Sequence, residues 1–408
     1  MDHDIFFDHT STTPLAPGVL EAMMPYLGEQ YGNPSSHIHK LGRGALSGIN
    51  EARKHVADLI NCLAGEVVFT SGATESNNTV IKGLGLSRLK RGGHILVSRV
   101  EHYSVINAVN RLKSYGFDAE MIPVEKDTGL VRLDQLERML RPDTFLVCLM
   151  HSNMEIGTLQ PVAEAVKVVK GKNKEIHFHC DATGSAGWVP VDVKALGVDS
   201  LTLSAHNFYG PKGVGALYLK EGTQLVPLLD GGFQESNRRA GTENVPGIVG
   251  MGEASRLALL EMDERIRHLS ALQSRLWKGL EDNVEYIHFT GHPDFRLPGH
   301  VSFWVEFAEG ESLLLMLTLK KIIAASGSAC SSNMLAQDED ELIHSNVLDA
   351  IGVPQDICSG SVTMLMGRRN TPEEVDYVVS QFPPILERLW AMSPAYGDMM
   401  KQKGAPAG

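Results

Sequence analysis

Through its first 220 residues the chain alternates short β-rich runs with stretches of helical period, and this alternation restricts the fold more than any other feature of the sequence. Glu66–Phe69, His94–Ser98, Ala119–Val124, Thr144–Met150, Ile176–Cys180, Ser200–Leu203 and Gly215–Leu219 read as strands. Leu133–Leu140 and Ala163–Val169, between them, carry apolar residues at helical spacing. Such alternation predicts a mainly parallel sheet with helices on both faces. From about Gly247 the texture changes to a long helical pattern rich in Leu, Glu and Arg over Ala254–Leu280, then to mixed strands and helices up to about Met392. The expected organisation is a large α/β domain over residues 15–250, a smaller α+β domain made of 1–14 and 251–392, and a tail over 393–408 that frays at its small, polar end.

Charge and composition narrow the partners. A formal charge of -12 without any Lys/Arg cluster opposes nucleic acid or an anionic membrane, both of which need a concentrated basic face. Met1–Phe7 lacks the basic segment and apolar stretch of a secretory signal. Apolar runs such as Phe145–Met150 and Leu313–Leu317 fall well short of the ~20 residues that span a bilayer. The expectation is a cytoplasmic protein. Its five cysteines, Cys62, Cys148, Cys180, Cys330 and Cys358, are scattered and form no CxxC pair, so neither a disulfide framework nor a zinc knuckle is suggested. Reduced thiols packed as small hydrophobes are the default.

Three segments carry chemistry. Glu66–Asn78 passes from a strand through Ser71, Gly72 and Thr74 into a helix, where free N–H groups and hydroxyls make a phosphate seat. Phe178–Thr183 puts Asp181 just past an apolar strand, at the edge where open α/β sheets bind ligands, and an aspartate there can hold a ring nitrogen protonated. In Ser204–Gly213 a strand ends in the hydroxyl and imidazole of Ser204 and His206 before a Gly-Pro turn.

SGATESNN at Ser71–Asn78, Glu101-His102, Asp181-Ala182 and SAHNFYGPKGVGALY from Ser204 occur together with YGNPSS at Tyr31–Ser36, EIGTLQP at Glu155–Pro161, RAGTENV at Arg239–Val245 and SGSAC at Ser326–Cys330. The first four, in this order, with the others as further matches, resemble the cysteine desulfurases, of the class V aminotransferase family of fold type I pyridoxal-phosphate enzymes, over about residues 5 to 390. The resemblance implies a homodimer. It also implies that Thr74, Ser204 and His206 hold the cofactor phosphate with Thr242 from the partner subunit, that His102 stacks on the pyridine ring, and that Asp181 pairs with its nitrogen. Cys330 matches the loop cysteine that attacks substrate sulfur and carries the persulfide.

Four positions depart from the family pattern. Asn207 stands where the family's Schiff-base lysine follows the histidine, and an amide nitrogen is not a usable nucleophile. Lys212, in a Gly-Pro-Lys-Gly turn, reads as a solvated structural residue rather than a substitute. Met154 and Gly184 replace an asparagine and a glutamine that contact the ring-hydroxyl side. Thr363 replaces the arginine that binds the substrate carboxylate as a fork. Residues 331–345 make a longer stretch than the family's and carry an acidic run, Asp338–Glu341, which reads as a solvated loop.

The first reading from sequence is a desulfurase homologue without conventional activity. It would act as a dimeric platform in iron–sulfur cluster assembly or sulfur transfer, with Cys330 as thiolate ligand or sulfur acceptor for a scaffold or acceptor protein. Pyridoxal phosphate is then absent or noncovalent. The alternative is a pyridoxal-phosphate enzyme that binds its cofactor noncovalently and uses His206 or His102 as a base on a different substrate. An active cysteine desulfurase is third.

Overall fold

The computed structural model describes residues 3–326, 345–354 and 361–404. Seven strands build the main sheet: β1 (Val67–Thr70), β2 (His94–Ser98), β3 (Asp118–Ile122), β4 (Thr144–Cys148), β5 (His177–Asp181), β6 (Ser200–Ser204) and β7 (Gly215–Leu219). Their spatial order is β1-β7-β6-β5-β4-β2-β3. All seven coincide with the runs read from sequence, to within a residue or two at their ends. β2, β4, β6 and β7 are buried at every residue, as strands covered on both faces must be. The edge strand β3 leaves Asp118 and Met121 exposed. β7 runs antiparallel to β1 and β6, against the parallel trend of the others. Only residues 205–214 separate it from β6, too few for a helical crossover, so the chain must double back.

Helices α1 (Pro17–Leu27), α2 (Lys40–Ile60), α3 (Ala73–Ser87) and α4 (Tyr103–Lys113) belong to this first part. The long α5 (Val245–Asn283) buries Met251, Ala258, Leu269, Leu276 and Leu280 along one apolar stripe. Its first turns pack on α1 and α2, where Gly252 meets Ala52 and Leu257 approaches Gly18. Its last turns meet α6 (Pro372–Met392), where Gly279 faces Val379. One stripe therefore ties the main sheet to the rest of the chain. Beyond it, β8 (Ile287–Phe289), β9 (His300–Val305), β10 (Ala325–Ser326) and β11 (Val362–Leu365) form a small antiparallel sheet in the order β10-β11-β9-β8. Ile5–Phe6 pairs in parallel with Ile322–Ile323, and Asp8 bridges Leu365, which fastens the amino-terminal segment to this second part. Among the described residues no helix is long and apolar enough to cross a membrane.

Candidate active site

Five parallel strands, β1, β2, β4, β5 and β6, deliver their carboxyl-terminal turns to one crevice, the place where open α/β sheets take ligands. There they line a cavity of about 710 Å³, within the ~300–1,000 Å³ usual for small-molecule sites. Thr74, His102, Asp181, Ser204 and His206 all line it, as do Met154, Gly184, Asn207 and Thr363. Thr242 is exposed and lies outside the lining. Cys330 and Cys358 lie outside the described residues. Cys148 and Cys180 are buried in the sheet, and burial pushes both thiols well above their ordinary range. Cys62 is pushed up to about 12, chiefly by burial. Among the described residues the one three-ligand group, His94, Asp118 and Glu120, sits at the opposite end of β2 and β3, and Arg141 pairs with both of its carboxylates.

The start of α3 is where an anion could be seated. Gly72 occupies its N-cap with φ +153, a backbone conformation that a residue bearing a β-carbon rarely adopts. Having no side chain, it caps none of the first N–H groups of the helix, which stay directed at the crevice. Thr70 and Ser76 share a buried hydrogen bond of 2.8 Å beneath the turn, and Glu75 accepts from the Ser71 N–H at 2.8 Å. Arg239 pairs with Glu75 at 2.9 Å, so the carboxylate at the seat is neutralised.

Asp181 is fixed by a chain of polar contacts that local spacing did not reveal. Its Oδ1 accepts from the Thr183 N–H at 2.9 Å and its Oδ2 from Asn77 Nδ2 at 2.7 Å. Asn77 Oδ1 lies 3.0 Å from His179 Nε2, and His179 Nδ1 lies 2.8 Å from Ser200 Oγ. Burial drives the pKa of His179 down to about 3, so the ring is neutral. An amide oxygen can only accept, so Nε2 carries the hydrogen and Nδ1 accepts from Ser200. Asn77 Nδ2 also donates to Ser104 Oγ at 2.8 Å, which leaves the Ser104 hydroxyl to donate to His102 Nδ1 at 2.8 Å. His102 Nδ1 further accepts the Ser104 N–H at 3.1 Å, as the N-cap of α4. With Nδ1 accepting twice, the ring hydrogen sits on Nε2, and no acceptor is left for a reacting proton.

The turn after β6 is held by three hydrogen bonds from Thr13 and Trp188. Thr13 accepts the Tyr209 N–H at 2.6 Å and donates to the His206 carbonyl at 2.8 Å, while the Trp188 indole donates to the Asn207 carbonyl at 2.8 Å. Asn207 is thus fixed in the lining at 5% exposure, and its Oδ1 is buried without a hydrogen-bond partner among the described residues. His206 is half-buried, 3.2 Å from Thr12 Oγ1 through Nδ1. Burial, and then the nearby charge of Lys212, lower its pKa, so it is neutral at pH 7. Lys212 is exposed, as its turn predicted, yet also lines the cavity.

Met154 and Gly184 prove to be a fitted pair. A β-carbon at residue 184 would lie 2.8 Å from Met154 Cγ, 2.9 Å from its Sδ and 2.7 Å from Ser152 Oγ, all inside contact distance. The thioether occupies the room a side chain at 184 would take. Beside it, Glu155 is held by its backbone: its N–H donates to Asn153 Oδ1 at 2.9 Å, and its carbonyl accepts from Thr363 Oγ1 at 2.9 Å. Ser345 Oγ donates to its carboxyl. Burial raises the Glu155 pKa to about 8. Glu101, behind Asp181, is likewise raised to about 8, first by burial and then by the charge of Asp181.

The family model described as aminotransferase class-V matches residues 5–378. The chain therefore belongs to the class-V aminotransferase family, with the fold type I architecture of its pyridoxal-phosphate enzymes. Its relatives are cysteine desulfurases: it is 44% identical to cysteine desulfurase IscS of Dictyoglomus turgidum over 97% of both chains. It is 45% identical to cysteine desulfurase IscS of Methanosarcina thermophila over 96% of this chain and 94% of that one. Among solved structures it resembles a NifS-like protein with a TM-score of 0.87 at 36% identity, covering 94% of this chain and 100% of the other. It also resembles SspA in complex with cysteine, with a TM-score of 0.77 at 34% identity, over 90% of this chain and 100% of that one.

Proposed function

We propose that this chain binds pyridoxal phosphate without a covalent bond to lysine and promotes proton transfer on a bound amine, with His206 as the base. The observation that carries this reading is the fitted pair Met154 and Gly184, which keeps a closed lining beside an ordered seat where simple decay would leave a gap. The residues present fit the cofactor at two points. Thr74, Ser204 and the opening N–H groups of α3 would hold the phosphate, and Asp181, oriented by Asn77, would accept from the ring nitrogen. At a third point, the family's lysine position, Asn207 offers an amide and no nucleophile. Pyridoxal phosphate, when bound, supplies an electron sink for the carbon bearing the amine. This chain's contribution is to orient and to move a proton. His102 is spent as an N-cap and acceptor, which leaves the neutral imidazole of His206.

Absorbance titration of the purified protein with pyridoxal phosphate, followed by dialysis, should show saturable and reversible binding. Borohydride reduction before digestion should leave no pyridoxyl group on any peptide. A pyridoxyl adduct on Lys212 would overturn the noncovalent assignment, and efficient sulfide release from cysteine would place the chain with the active desulfurases instead. His206→Ala should abolish exchange of the proton on the amine-bearing carbon in deuterated buffer even at saturating pyridoxal phosphate, so that any weakening of the phosphate contact is set aside; His102→Ala should leave exchange measurable.

A further inference from the structure

Resting on the reading above, we infer that the cavity is built for an aliphatic diamine, one ammonium group seated on Glu155, and not for an amino acid. Recognition of a carboxylate in a crevice calls for a charged donor, best an arginine fork. The described lining holds no arginine, and its one lysine, Lys212, lies beside His206 at the end where the anion seat is. Residues 327–344 and 355–360 add no lysine or arginine to the sequence. At the Thr363 end the lining offers Glu155, Ser345, Asn346 and Thr363: one carboxyl and three neutral polar side chains.

The carboxyl is placed by its surroundings. Asn153 Oδ1 takes the N–H groups of Glu155 and Ile156 at 2.9 and 3.1 Å, Thr363 takes the Glu155 carbonyl, and Ser345 donates to Oε1. Three of these contacts fix the backbone at residues 155 and 156, and the fourth, from Ser345, holds the carboxyl at the cavity wall. Glu155 Oε2 makes no hydrogen bond among the described residues. A bound ammonium would supply the charge that burial denies this carboxyl, whereas a carboxylate would meet it as a like charge or would need its proton. The thioether of Met154 and the neighbouring Gly184 line the stretch between this end and Asp181, a surface for methylene groups.

Putrescine, n-butylamine and γ-aminobutyrate share a four-carbon amine and differ only at the far end, so they serve as probes. Isothermal calorimetry should be run on the purified protein before and after saturation with pyridoxal phosphate. Putrescine should bind roughly tenfold to a hundredfold more tightly than n-butylamine, the range expected for one charge-assisted contact, with γ-aminobutyrate the weakest. Glu155→Gln keeps the shape and an acceptor for Ser345, and should bring putrescine and n-butylamine within about threefold of each other. Glu155→Ala, with folding checked by thermal melting, should do the same. Equal affinity for putrescine and γ-aminobutyrate in the parent, an undiminished putrescine preference in Glu155→Gln, or no binding of any probe would overturn the inference. If pyridoxal phosphate fails to bind while the putrescine preference persists and depends on Glu155, the cofactor reading falls and this one stands.

Discussion

The two ends of the cavity are built differently. The end that holds Thr74, Asp181 and Ser204 comes wholly from turns at the carboxyl ends of the main-sheet strands, and hydrogen bonds through Asn77, His179 and Ser104 lock it. The end that holds Glu155 and Thr363 is assembled across two sheets, from the turn after β4 and from β11 of the small sheet. Strand-end geometry follows from the fold, so the first end stays as long as the sheet does. The second depends on how two separate packing units meet; of the four departures from the family pattern Thr363 falls at this end, Met154 and Gly184 lie between the two ends, and Asn207 is in the turn after β6. A site can thus keep its seat for an anion and change what is placed against it.

The largest effect expected is at Asn207. Asn207→Lys should convert reversible binding of pyridoxal phosphate into a borohydride-fixable adduct on residue 207, visible in the peptide mass spectrum, while sulfide release from cysteine stays near background. Robust desulfuration by that single variant would show that the Thr363 end had not changed in function. Next, Asp181→Asn should weaken pyridoxal phosphate about tenfold to a hundredfold by absorbance titration, since it removes the charge from one charge-assisted contact. An unchanged affinity would mean the conserved-looking end does not hold the ring nitrogen. Third, Gly184→Ala should destabilise the fold by about 1–3 kcal/mol in urea titration, and Met154→Ala in the same chain should recover much of that loss. Simple addition of the two effects would break the fitted-pair account.

The smallest effect expected is on pH dependence, and it probes both ends at once. Glu101 and Glu155 keep their protons in the folded state up to about 8, while an ordinary glutamate releases at 4.5. Over that window the unfolded chain binds fewer protons, so both groups make stability fall as pH rises. His9, His151, His177, His179 and His300 act the other way: their pKa values are lowered from 6.5 to between about 3 and about 4, so stability falls as pH drops below 6.5. Five groups outweigh two below 6.5, and above it the glutamates act alone. Urea midpoints should therefore peak near pH 6.5 and decline toward pH 8. Glu101→Gln and Glu155→Gln should each flatten part of the decline, and a decline untouched by either would assign it elsewhere.

The sheet was legible because short β-rich runs stood out between helical stretches: Thr144–Cys148 carries Phe, Leu, Val and Cys in succession, and Ser200–Ser204 alternates Leu with Ser and Thr. Thr74, Asp181, Ser204 and His206 were legible because the end of a strand places them. Asn77, Ser104 and His179 were not singled out, since their partners lie up to 104 residues away and no local period reports such a contact. The available signal was weak: Ser76 and Asn77 are polar residues on the buried side of α3. Glu155 was read only as part of a motif, because its role depends on Ser345 and Thr363 from another part of the chain. The reversal at β7 was hidden in a loop length whose meaning required the strand order.

The fit between Met154 and Gly184 also bears on history. No residue with a β-carbon enters position 184 comfortably while the methionine stands, whereas Ser152 can yield by turning one hydroxyl. The order of change is therefore biased: growth at residue 184 costs less once the methionine has shortened or swung into the cavity, so volume as well as chemistry weighs on which of the two sites changes first.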